Sequence, residues 1–404
     1  MQLYNLDSTG NAFEIGKSRG QRLRNAILFN LSNFFTAASA ASLKRLALIE
    51  SAKRLAQDYG DPLVEEIQGM AAGAQVEEAD LLAFNLRHSA VFADECTVLF
   101  AMGDATASGK VLFLKNSDKI GGASMVGPNF YEHKEINVVL VIRPEHGPGI
   151  IGVSAAGSTG LKMGVSELGV VSGTNIARTA ELATRAVDTT QMRALDRIQL
   201  AREGLLTTSA LEAANFVAGR LAQNPTATPG NIEFVDSTVG VIVEGSYDRV
   251  ALHVVRSGIA SRANAFVALR ELNDPADASS SCRYVRTQQL LSEHRGRLTP
   301  ELMKQFSQDH MNGPGPNSIC RHGKHYEEET SQSSMIVELE PEQPRQTRFW
   351  IAMGKPCHAW QHPDGSFEGR MDQLERVPQG FLDGETWKRF WSEAPNPEVE
   401  LVRA

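Results

Sequence analysis

Between residues 17 and 92, the stretches "GQRLRNAILFNLSNFF", "SLKRLALIESAKRLAQ", "DPLVEEIQGMAAGA" and "EEADLLAFNLRHSAVF" space apolar residues three and four apart, and at Cys96 that period stops. From there "CTVLFAMGD", "GKVLFLKNS", "NVVLVIRP", "GIIGVSA", "TGLKMGVSE" and "GVVSGTNI" are short runs broken by Gly, Pro or Asp turns, the pattern of an antiparallel sheet. Helical spacing returns over 186–222, strands follow near 231–256, then helices at "RYVRTQQLLSEH" and "TPELMKQFSQDH", and late strands at "SSMIVELE" and "TRFWIAMG". Helices and strands are grouped, not strictly alternating, which predicts an α+β stack of helix and sheet layers over a doubly wound parallel sheet. Asp61 and Pro62 read as an N-cap and a first-turn proline. "NGPGPNS" (312–318) reads as a surface loop, and the polar, proline-spotted stretch from about 362 is assigned no chemistry.

With 404 residues, 42% of them hydrophobic, the chain can bury one large core or two modest ones, which excludes a disordered or collagen-like class. The net charge of −8 repels phosphate backbones, and no basic stripe with interleaved aromatics is present, so no nucleic-acid partner is expected. "MQLYNLDSTGNAFEIGKSRG" lacks the cationic and apolar regions of a signal peptide, and nowhere do eighteen apolar residues run together. The expected location is cytoplasmic, without a membrane partner. Cys96, Cys282, Cys320 and Cys357 are then thiols, not a disulfide framework.

Several motifs fall short of their chemistry. "GNAFEIGKS" (10–18) holds five residues between its glycines where a phosphate loop needs four, and reads as a helix start. "CRH" (320–322) and "PCH" (356–358) supply metal-ligand types, but in none of the paired spacings of zinc sites, so no metal or other cofactor is expected. There is neither a Gly-x-Ser-x-Gly elbow nor a Gly-x-Gly-x-x-Gly turn after a strand.

Cys96 differs in context. It follows Asp94 and Glu95, opens a strand, and belongs to a hairpin turning near "GDATASGK" whose partner strand ends in Lys115, Asn116, Ser117 and Asp118. The end of the second strand returns beside the start of the first, so Asp118 is expected close to Cys96. A thiol of pKa about 8.5 needs a base at neutral pH, and no histidine is near in sequence. That leaves a distant histidine, a base not visible in the sequence, or the α-amine (pKa about 7.7–8) freed on Cys96 itself by a cut after Glu95.

"CT", the turn, "LKNSD", and downstream "GVVSGTNI", "SSCRYVR", "SICRH" and "GKPC" together resemble the N-terminal-nucleophile (Ntn) hydrolases of the penicillin acyltransferase and acyl-carcinine hydrolase type, relatives of the choloylglycine hydrolases. The resemblance runs from "FEIGKSRG" to "GKPC". It implies a four-layered αββα sandwich with a helical N-terminal leader: residues 1–95 would become the small (alpha) subunit and 96–404 the catalytic large (beta) subunit. It implies autoproteolysis between Glu95 and Cys96, with Cys96 as nucleophile, Asp118 as the carboxylate at its amine, Asn175 as an oxyanion-hole amide, and Lys115, Asn116 and Arg283 as candidate active-site support. Lys115 stands where the choloylglycine branch has arginine, and Glu95 where a small residue is usual.

The activity so implied is cofactor-free cleavage of a non-peptide C–N bond in a small linear amide, an N-acyl amine or N-acyl amino acid, through a thioester. Acyl transfer to an amine is the alternative, and an unprocessed non-catalytic relative a third reading. The partners expected are the small-molecule amide and the cleaved leader, in a heterodimer that can associate further.

Overall fold

The computed structural model describes residues 5–57, 59, 61–92, 95–120, 135–184, 193–323, 329–363 and 365–378. The sequence periodicity at 17–92 becomes four helices: α1 (Ala12–Ala40), α2 (Arg45–Ala56), α3 (Asp61–Ala74) and α4 (Glu78–Val91). The phosphate-loop look-alike opens α1: Asn11 accepts from the Glu14 amide while Glu14 reaches back to the Asn11 amide, a reciprocal cap. Its glycines serve packing. A Cβ on Gly16 or Gly20 of α1 would collide with carbonyls of Glu66 and Met70, and one on Gly69 or Gly73 of α3 with those of Phe13 and Lys17, so the two helices meet backbone to backbone.

Two sheets lie beneath these helices. The larger has the order β1-β4-β5-β6-β7-β8-β9-β10, built from β1 (Asn5–Gly10), β4 (Asn137–Pro144), β5 (Ile150–Ala155), β6 (Met163–Ser166), β7 (Val171–Ile176), β8 (Gly230–Val235), β9 (Gly240–Gly245) and β10 (Val250–Val255). The smaller has the order β11-β2-β3-β12-β13-β14, from β11 (Gly258–Arg262), β2 (Glu95–Met102), β3 (Leu112–Ile120), β12 (Glu329–Glu338), β13 (Arg348–Met353) and β14 (Ser366–Arg370). Neighbours pair antiparallel except β1, which runs parallel to β4. Among the described residues the remaining helices are α5 (Ala180–Thr184), α6 (Arg197–Gly204), α7 (Ala210–Gln223), α8 (Ala278–Glu293), α9 (Pro300–Ser307) and α10 (Pro356–Ala359).

Three apolar cores separate four layers. Ile27 and Phe34 of α1, Phe84 of α4 and Val217 of α7 pack on Leu140, Phe234 and Val243 of the larger sheet. Val98, Phe100 and Phe113 of the smaller sheet meet Val141, Val171 and Ile242 of the larger. Leu99 and Leu114, on the other face of the smaller sheet, meet Leu291 of α8 and Met303 of α9. The architecture is thus an α+β sandwich layered αββα, because both sheets alternate strictly enough to bury two faces each.

The leader is part of this stack. It adds β1 to the larger sheet, an element the helical spacing did not announce, and Asn30 of α1 bonds Ile136 O at 3.0 Å and Ala156 O at 2.8 Å. The run expected to be helical from 186 forms a helix only from Arg197, capped by Asp196; residues 185–192 lie outside the described residues. The C-terminal stretch contributes β14 before the described residues end at 378. Among the described residues no single helix is long and apolar enough to cross a membrane; α1 and α2 would qualify only jointly, across a bend of 113°.

Candidate active site

β2 and β3 pair with Cys96 opposite Ser117 and Glu95 opposite Asp118. Because alternate residues of a strand face opposite sides, this register sends Cys96 and Asp118 to different faces of the smaller sheet. Cys96 faces the larger sheet, with Val98 and Phe100, and is fully buried. Its thiol lies 3.9 Å from Ser117 Oγ.

Lys115, two residues along β3 on the same face, lies near enough to the Cys96 thiol for their charges to interact, and donates to Lys162 O at 2.8 Å. Burial lowers the pKa of its ammonium, against the opposing pull of the Cys96 and Glu233 charges.

β7 and β8 of the larger sheet face this pair. Asn175 and Asn231 are register partners, as are Gly173 and Glu233. Gly173 is obligatory for space, since a Cβ there would come within 2.9 Å of Phe113 Cζ and 3.3 Å of Lys115 Cδ. Asn175 Nδ2 donates to Ala263 O, and Asn231 Nδ2 to Ala265 O at 3.4 Å. The side-chain oxygens of Asn175, Asn231 and Glu233 are buried without hydrogen-bond partners among the described residues. Burial pushes the Glu233 carboxyl up to about 8, although Lys115 and Arg262 act in the opposite sense.

The Cys96 backbone amide is held by a residue the sequence did not single out. Asn264, just beyond β11, accepts from Cys96 N at 3.1 Å and from Arg283 Nη2 at 2.9 Å, and donates to Ile176 O at 2.9 Å. It therefore ties the start of β2 to the end of β7, next to Asn175. No periodicity or motif marks Asn264, which follows its strand in an irregular segment.

The outer face of the hairpin carries the charges. Glu95 is ion-paired with Arg178, Arg283 and Arg321, with Arg178 Nε at 2.8 Å and Arg283 Nη2 at 3.3 Å. Burial alone would raise its carboxyl, but Arg321, Arg178 and Arg283 outweigh burial and hold it down to about 2. Arg283 also donates to Cys96 O at 2.9 Å and Thr97 Oγ1 at 3.1 Å, so it grips the backbone immediately after the Glu95–Cys96 bond.

Asp118 accepts from Ser331 Oγ at 2.6 Å and lies 3.8 Å from Arg321. Burial raises its pKa against Arg321 and Arg283. Asn116 donates to Ser307 O at 2.8 Å and Ile319 O at 3.1 Å, anchoring β3 to the outer layer. Cys96, Lys115 and Asn175 thus face the space between the sheets, while Asn116, Asp118, Arg283 and Arg321 support the hairpin from outside. Arg321 was visible in the sequence only as the middle of "CRH". Away from this site, the cysteine–histidine set can hold a metal: Cys320, His322 and Cys357 converge with His310, although their spacing matches no zinc motif.

No family model matches the chain, and no curated protein shows significant similarity to it. Solved structures do. A Caenorhabditis elegans ortholog of N-acylethanolamine-hydrolyzing acid amidase is 13% identical over 63% of this chain and 99% of its own, with a TM-score of 0.43. Penicillin V acylase from Agrobacterium tumefaciens is 13% identical over 71% and 91%, with a TM-score of 0.40. A variant of the conjugated bile acid hydrolase from Clostridium perfringens is 8% identical over 71% and 95%, with a TM-score of 0.39. Likenesses this distant carry no weight in assigning the chemistry, which rests on the side chains described above.

Proposed function

We propose that this chain is a cysteine amidohydrolase of the Ntn type, activated by its own cleavage between Glu95 and Cys96, and that it hydrolyses a non-peptide C–N bond in a small linear amide. One observation carries the reading: the Cys96 thiol lies beside a buried amine, in a polar end of the inter-sheet space, while Asn264 and Arg283 grip the backbone on either side of that residue's Cα.

In maturation Lys115, in its neutral form, takes the thiol proton, and Sγ attacks the Glu95 carbonyl carbon. The C–N bond breaks as the Cys96 nitrogen gains a proton, leaving a thioester of Glu95. Water hydrolyses it, giving a Glu95 carboxylate and a free Cys96 α-amine. The leader would stay bound as the small subunit, since α1–α4 share a core with the larger sheet.

In turnover the α-amine, steered by Asn264 Oδ1, receives the thiol proton and returns it to the leaving amine. Nδ2 of Asn175 has a second N–H beyond the one used on Ala263, and Nδ2 of Asn231 likewise. These are the donors for the tetrahedral oxyanion, each worth about 3–4 kcal/mol in such a role. Water then resolves the acyl-enzyme, so no cofactor is needed.

The test is a screen of N-acyl amines and N-acyl amino acids with both product halves quantified by mass spectrometry. Equal amounts of acid and amine, undiverted by added amines, are expected. A mainly acylated acceptor at millimolar concentration would make the enzyme a transferase instead.

A further inference from the structure

The space between α9, the segment leading to β12, and α10 gathers four metal-ligand side chains. His310 comes from the turn after α9, Cys320 and His322 from the segment before β12, and Cys357 from the first turn of α10. Their ligating atoms all lie within 4.8 Å of one another. His310 Nε2 is 3.1 Å from His322 Nε2, and His322 Nε2 is 3.3 Å from Cys357 Sγ and 3.7 Å from Cys320 Sγ.

The three separations from His322 Nε2 are close to those within one coordination sphere. Tetrahedral zinc, with Zn–N of about 2.0–2.1 Å and Zn–S of about 2.3 Å, sets its ligand atoms about 3.3–3.8 Å apart. Two imidazole nitrogens and two sulfurs thus lie together, the mixed donor set that zinc takes. We propose that Cys320, Cys357, His310 and His322 form a closed, structural Cys2His2 site for a zinc-class divalent cation.

With four protein ligands no position is left for water or substrate, so the site is structural, not catalytic. Its placement gives it a task. Arg321 lies between two of the ligands; its amide donates to Ser331 Oγ at 2.9 Å, and its guanidinium reaches Glu95 and Asp118. Pinning Cys320 and His322 to α10 and to the end of α9 fixes the backbone that presents Arg321 to the outer face of the hairpin.

The test is metal analysis of the full chain purified under reducing conditions without chelators, followed by replacement with cobalt. About one zinc per chain is expected, and the cobalt form should show thiolate-to-cobalt charge transfer with the intense visible bands of a tetrahedral site. Cys320→Ser and Cys357→Ser should each lose the metal and those bands, while Cys282→Ser, on α8 outside the cluster, keeps both. Failure of the wild-type chain to take up zinc or cobalt stoichiometrically would overturn the proposal, as would bands unchanged in Cys320→Ser and Cys357→Ser, or a Cys320–Cys357 disulfide in the reduced preparation. Because metal content is read without reference to activity, a chain that binds zinc but is never cleaved would count against the proposed function alone.

Discussion

The two faces of the β2–β3 hairpin organise the polar residues near Cys96 differently. Toward the larger sheet, Cys96, Lys115 and Ser117 sit with Asn175, Asn231 and Glu233, and several oxygens there lack hydrogen-bond partners. On the outer face Glu95 and Asp118 are engaged by Arg178, Arg283, Arg321 and Ser331. Unsatisfied buried groups cost stability and are retained where chemistry needs them, whereas satisfied ion pairs fix geometry. Among the described residues the outer face keeps unpartnered oxygens too, Asn116 Oδ1 and Asp118 Oδ2, so the proposed division rests on where the thiol points: with Cys96 on the inner face, the proposed reaction belongs there and positioning to the outer.

The inner face should give the largest effects. Cys96→Ala is expected to remain one chain of 404 residues and to be inactive, while the parent separates into pieces of 95 and 309 residues (404 − 95) by intact mass spectrometry. If Cys96→Ala is still cut there, the thiol is not the agent of processing. Lys115→Met should slow cleavage by about 10²–10⁴, the range for a general base. A normal rate in that variant would move the base elsewhere.

Asn175→Ala and Asn231→Ala, measured in already processed protein, should lower kcat by about 10²–10³ with KM little changed. An effect on KM alone would make them binding groups. On the outer face, Arg321→Met leaves a buried carboxylate under-paired and should destabilise the chain by up to about 3–5 kcal/mol in urea unfolding, while slowing chemistry less than Lys115→Met does. Asp118→Asn should slow both maturation and turnover, but more weakly than any inner-face change. Asp118→Asn matching Cys96→Ala in its loss would erase the division between the faces.

The smallest effect separates the faces by pH. Glu95 titrates at about 2 instead of 4.5, so its ion pairs stabilise the chain above about pH 4.5, and that stabilisation is lost as pH falls toward 2. Glu233 has the opposite sign. With its carboxyl raised from 4.5 to about 8, the unfolded chain binds fewer protons than the folded one across that window, so stability declines as pH rises through it. Glu233→Gln should flatten the decline between pH 4.5 and 8 in melting experiments and leave the acid limb untouched.

Much of this was legible in the sequence because local geometry writes a local period. Three- and four-residue spacing located α1 to α4, turn residues separated β4 to β7, and grouping of helices and strands indicated layers; Cys96 was marked by its place at the start of a hairpin strand. The pairing of Cys96 with Ser117 was not. A shift of one residue turns every side chain over, and it put Asp118 on the outer face and Lys115 beside the thiol.

Tertiary structure alone decided which distant residues complete each cluster. Asn264 reaches Cys96 N across 168 positions, and Arg321 reaches Glu95 across 226. His310, just after α9, and Cys357, in α10, share no common motif, yet both converge on His322. Such meetings depend on how layers stack and strands register, which is set by the sum of many apolar contacts and leaves no periodic trace at the residues brought together. The sequence by itself determined most of the elements, their grouping and the place of the thiol; the packing of four layers decided which groups surround it.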